Sequence, residues 1–142
     1  MIKKMCVSIC LLACVTTAQA ADKIYHLNFN DAVEKAVSDG TLDGSVKFYL
    51  ENTKSGGKVL QKDIITNKKT NGFAKSAEAS CDWVLRSALI QLQNSAKQRG
   101  GNAVTNIVSY YKSSEVKSTT TYDCHKGMAV AGVALKGDIV KY

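Results

Sequence analysis

The chain of 142 residues contains no proline. That excludes proline-kinked helices, cis X–Pro turns and stiff polyproline linkers, and it leaves glycine and asparagine to end the elements. No apolar run reaches the roughly 20 residues a membrane-spanning helix requires; Met5 to Val15, the longest, has eleven. Histidine is scarce, His26 and His125 only, and there is one tryptophan. No glycine-rich loop ends in Gly-Lys-Ser/Thr: Ser55-Gly56-Gly57-Lys58-Val59 lacks the first glycine and the hydroxyl after lysine, so it reads as a hairpin turn rather than a phosphate cradle. No repeated C-x-x-C pattern marks a zinc module.

What is present begins with a leader. Lys3 and Lys4 precede the apolar segment, and Ala18-Gln19-Ala20 supplies an A-x-A cleavage pattern. Residues 1–20 are therefore expected to be a signal peptide and 21–142 a single domain, periplasmic or extracellular after cleavage at Ala20. Leu11-Leu12-Ala13-Cys14 offers a competing lipoprotein box, which would make the product an outer-membrane lipoprotein anchored through Cys14. Of five cysteines, Cys6, Cys10 and Cys14 lie in the leader. Cys81 and Cys124 remain, and in an oxidising compartment two cysteines most simply form one disulfide.

Hydrophobic periodicity predicts an α+β domain. Tyr25, Leu27 and Phe29 alternate as in a half-buried strand; Asn30-Asp31 is expected to cap a short helix that Gly40 stops. Val46, Phe48 and Leu50 form the next strand, and Lys58 to Thr66 a more polar one. From Ser76 to Arg99, Ala77, Cys81, Val84, Leu85, Ala88, Leu92 and Ala96 share one helical face, and Gly100-Gly101 ends it. Strands are expected over Ala103 to Tyr110, Val116 to Cys124 and Met128 to Val140, with His125 to Gly127 as a turn. The expected fold is a mixed or antiparallel sheet with one long and one short helix on one face, the disulfide pinning the long helix to the last hairpin.

Of 19 basic side chains, Lys3 and Lys4 fall in the leader; the others exceed the 12 acidic groups by five. Lys47, Lys54, Lys58, Lys62, Lys68, Lys69 and Lys75, set against Glu51 and Asp63, carry that whole excess. They read either as a basic surface for an anionic partner or as solvated strand edges, where lysine discourages edge-to-edge pairing. Nucleic acid is not an expected partner, since no base-stacking aromatics are interleaved with these lysines. Trp83, off the helix stripe, either extends the core or forms an exposed anchor, and with Tyr111 it makes a candidate aromatic patch. Asp123-Cys124-His125, joined by His26 if the first strand lies beside the last hairpin, are the metal-ligand candidates. Successive strand residues face opposite ways, and a disulfide consumes the thiolate, so disulfide plus turn histidine is the preferred reading. No cofactor is expected.

The run AKQRGGNAVTNIVSYYKSSEV, Ala96 to Val116, followed by YDCHKGMAVAGVALKGDIVKY, resembles a group of small proteobacterial exported proteins often labelled "excinuclease ATPase subunit". The likeness extends through LDGSVKFYL, TNKKTNGFAKS and CDWVLRSALIQLQ. The missing phosphate loop and zinc motifs exclude the activity that label names. The Gly100-Gly101-Asn102-Ala103-Val104 turn and the cysteine-bearing hairpin are more distantly similar to the envelope stress sensor RcsF and the YbjQ-type domain. That resemblance implies a compact α/β sandwich and a role in envelope stress. Together these features predict an exported, non-catalytic binding protein whose partner is an envelope component or another protein. The alternatives are a Cys14-anchored sensor lipoprotein, a metal-binding protein using reduced Cys81 and Cys124, and an enzyme with a site assembled from His26, His125 and scattered carboxylates.

Overall fold

A computed structural model describes residues 22–142; the cleavage site, the lipoprotein box and Cys14 lie outside the described residues. In chain order the elements are β1 (Lys23–Asn28), α1 (Phe29–Ser38), β2 (Lys47–Leu50), β3 (Lys58–Asn71), α2 (Ala77–Gln98), β4 (Ala103–Ser109), β5 (Thr121–Lys126) and β6 (Val130–Lys141). A short helical turn, Tyr111–Ser113, sits between β4 and β5. The six strands form one mixed sheet in the order β1-β5-β6-β4-β2, with β3 on the other edge of β6. Only β2 and β4 run parallel among the described pairs. The α+β class, the mixed sheet, the two helices and the single disulfide expected from the sequence are all present.

The long helix forms where its pattern places it. Ser76 Oγ accepts the Ala79 N–H at 3.1 Å, Glu78 lies in the first turn and Lys97 in the last, each matched to the helix dipole. Its inner stripe, Cys81, Val84, Leu85, Ala88, Leu89, Leu92 and Ala96, is fully buried against Val104, Ile107, Val133, Leu135 and Ile139 of the sheet. Truncating any one of the three leucines would cost about 2–5 kcal/mol. Gly100, at φ 76°, makes the left-handed exit, and Gly101 N–H returns to Ala96 O at 2.8 Å. A Cβ on Gly101 would lie 2.6 Å from Ile139 Cγ2, so the turn that ends the helix also seats its end on β6.

Phe29 and Ala36 of α1 join the same apolar cluster, so both helices cover one face. The cap of α1 corrects the sequence expectation. Asn28, not Asn30-Asp31, is the N-cap, its Oδ1 accepting the Asp31 N–H at 2.9 Å. The chain turns earlier because Phe29 is fully buried only as the first helical residue, edge-on to Tyr122 at 6.4 Å between ring centroids. β3 runs five residues beyond Thr66: Asn67 to Asn71, of which the asparagines and lysines are poor strand formers, are held by continuous pairing with β6 from Ala134 to Val130. The expected strand from Val116 begins at Thr121 instead, Val116 making only a bridge to Ser109. His125, expected in a turn, is inside β5 opposite Ile24 and Gly132.

Candidate functional site

β1 and β5 pair along their whole length, setting Tyr25 opposite Cys124 and His26 opposite Asp123. Alternation then divides β5. Tyr122 and Cys124 face the helices, and Cys124 is bonded to Cys81 with the two Cα atoms 5.8 Å apart. Asp123 and His125 face the other way, onto the sheet surface the helices leave open, where they meet His26 and Tyr111. Thus the structure brings His26 and His125 to one face with Asp123, an alignment the run Asp123-Cys124-His125 does not reveal, and sends Cys124 to the opposite face. Among the described residues no group of three His, Cys, Asp or Glu side chains is placed to hold a metal ion.

His26 Nδ1 lies 2.5 Å from Asp123 Oδ1. Against a carboxylate oxygen that nitrogen is the one that carries a proton and donates. Asp123 is nearly buried, and its backbone N–H donates to Ser109 Oγ at 2.9 Å. The His125 ring stacks on Tyr111, 3.7 Å between centroids and 15° between planes. Burial pushes the His125 imidazole below its ordinary 6.5; the Asp123 and Asp22 carboxylates oppose that, while Lys112 and His26 reinforce it. Tyr111 also lies against Gly132, where a Cβ would come within 3.2 Å of its ring, and Lys112 and Ser113 follow in the left-handed region at φ 51° and 61°. Two consecutive non-glycine residues there carry local strain and hold the Tyr111–Ser113 turn across the open face.

Trp83 is elsewhere. It projects from the outer side of α2, 66 % exposed, beside a cleft of about 290 Å³ shared with Thr41, Asp82, Arg86, Ser87 and Ile90. Trp83 and Tyr111 therefore sit on opposite sides of the molecule and do not form one patch. Arg86, its side chain 12 % exposed, braces the wall behind Trp83. It donates through Nε to Asp82 Oδ2 at 3.0 Å and through Nη1 to Thr41 Oγ1 at 2.6 Å and to Asp39. The Thr41 hydroxyl and then Arg86 hold the Asp39 carboxyl down at about 2, against an ordinary 3.8. Sequence reading missed this brace; its Asp82–Arg86 step carries an i,i+4 signal that could have been found, whereas Asp39 and Thr41 lie more than forty residues away along the chain.

Four of the seven lysines trace an edge rather than a face, and the other three lie elsewhere. Lys58, Lys62, Lys68 and Lys69 are on β3, whose outer side is unpaired; alternation turns Lys68 toward the helix side and Lys69 away. Asp63, at φ 56°, lies within the irregular part of the β3 register. Lysines and a bulge on an edge strand are the devices that discourage pairing with a second sheet. Lys47 is exposed on β2, Lys54 lies within cation–π range of Tyr49 and Tyr142, and Lys75 precedes α2. Compared with family models, with curated proteins and with solved structures, the chain matches none.

Proposed function

We propose that this is an exported binding domain whose partner, a component of the cell envelope or another protein, docks on the outer side of α2. The observation that carries this reading is Trp83. A tryptophan left mostly in solvent on a rigid helix, next to a cleft and to Ile90, resembles the aromatic anchors on which binding energy concentrates. The Arg86 brace and the disulfide fix its position in advance, which reduces the ordering a partner must impose. Export is supported by the leader pattern and by a buried disulfide, a bond that persists in oxidising compartments. The resemblance to envelope proteins points the same way.

The test is photo-crosslinking in the intact envelope from a photoreactive residue at position 90, with position 94, exposed farther along α2, as control. The expected result is a discrete product from position 90 that disappears in Trp83→Ala and is absent from position 94. A product indifferent to Trp83→Ala, or none, would overturn the docking surface. Intact mass of the recovered protein, before and after reduction, decides its processing: a start at Ala21 gives a free protein, an acylated Cys14 a tethered one.

A further inference from the structure

At one end of the sheet two turns meet. Gly72 N–H donates to Ala129 O at 2.9 Å, joining the segment after β3 to the β5–β6 hairpin. One residue beyond this bond on either strand stand Phe73, 63 % exposed, and Met128, 74 % exposed. Lys23 is paired with Lys126 across β1 and β5, Lys69 is paired with Gly132, and Lys75 closes the turn onto Gly72 O. Among the described residues none of these four lysines makes a salt bridge. The acidic groups at this end are Asp22, which lies against Gly127, and Glu78 in the first turn of α2.

We propose that this end of the molecule docks on an anionic lipid surface, with Phe73 and Met128 entering the headgroup layer and the lysines meeting lipid phosphates. Apolar side chains carried singly on adjoining turns, ringed by unneutralised lysines, match an interface that is apolar within and negatively charged at its surface. A protein partner would instead call for a continuous packed patch of the kind Trp83 and its cleft provide. The site is separate from the α2 docking surface and stands or falls independently of it.

The experiment uses the full, processed, disulfide-bonded protein and vesicles of phosphatidylcholine mixed with phosphatidylglycerol, against phosphatidylcholine alone. Co-sedimentation is expected only with the anionic vesicles and is expected to weaken with added salt. Phe73→Ser and Met128→Ser should each lower partitioning about tenfold, and Lys75→Gln and Lys126→Gln about fivefold each. All four positions lie at the surface or near it, and unchanged thermal midpoints would show that the fold is kept. In a Trp83→Phe background, Phe73→Trp should shift its emission to the blue on anionic vesicles and be quenched by brominated acyl chains. Three results would overturn the proposal: no partitioning, partitioning that survives these substitutions, and crosslinking from position 73 to an envelope protein without lipid quenching. None of the three bears on the crosslink from position 90.

Discussion

Replacing both Cys81 and Cys124 by alanine tests how the sheet is held together. The bond closes a loop with a sequence separation of 43, for which the chain-entropy account gives about 4 kcal/mol lost from the crosslink. Both side chains are fully buried, so two missing sulfur atoms leave a small void, worth about 1 kcal/mol more. Against a domain stability of about 5–15 kcal/mol the double variant is expected to be marginal. The damage should also be uneven. β5 meets β6 at only two register positions, His125 with Gly132 and Lys126 with Ala131, whereas β3 pairs with β6 from end to end. The crosslink to α2 is therefore a main anchor of the β1–β5 arm. Urea unfolding should show a midpoint lowered by the equivalent of about 4–5 kcal/mol and a steeper dependence on denaturant, because the uncrosslinked chain exposes more surface. Amide exchange should accelerate first in β1 and β5. A loss below about 1 kcal/mol, or equal loss of protection across β3 and β6, would refute the anchoring argument.

Gly137→Ala places a Cβ 2.9 Å from Val104 Cγ1 and 3.1 Å from both Ile107 Cγ1 and Thr105 O, and should cost about 1–3 kcal/mol by calorimetry through overpacking of the β4–β6 contact. Asp39 is held at about 2, so its contribution is complete above its ordinary 3.8 and is lost as pH falls from there toward 2; Arg86→Met should move its carboxyl resonance titration upward in NMR. His125 is held below 6.5, so the unfolded chain takes up that proton first and stability declines as pH falls below about 6.5. His125→Phe, which keeps a ring against Tyr111, should flatten that part of the pH–stability curve, and an unchanged curve would remove His125 as its cause.

The parts of the fold that were legible in the sequence are those whose signal is local and repeated. α2 announces itself through a stripe that returns every three or four residues and through Ser76 and Gly100 at its ends. The disulfide follows from counting once the leader is set aside. The errors share one cause, a long-range contact outweighing a local preference. Asn67 to Asn71 have little reason to extend except that β6 offers an unbroken line of partners. His125 looks like a turn residue because Gly127 follows closely, yet pairing with Ile24 and Gly132 keeps it extended on both sides. Phe29 continues the strand alternation that Tyr25 and Leu27 begin, but its place in the core is reached by turning into a helix.

The candidate sites were less legible because each joins distant residues, and because alternation decides what shares a face. His26 and Asp123 are 97 positions apart and meet only through the β1–β5 register. Shifting that register by one residue would carry His26 to the helix side, so the sequence could raise their meeting only on the condition that the first strand lies beside the last hairpin, as it does. The lysines show the converse. Seven in one segment suggest a concentrated field, but a strand that sends Lys68 and Lys69 to opposite sides spreads it along an edge. Positive charge beside exposed apolar groups instead arises at the sheet end, where Phe73 and Lys75 from one turn meet Met128 and Lys126 from another. Neither turn is conspicuous alone. Their juxtaposition depends on the Asn71–Val130 end of the β3–β6 ladder, so a substitution that frays that end should weaken vesicle binding while leaving any crosslink formed from position 90 unchanged.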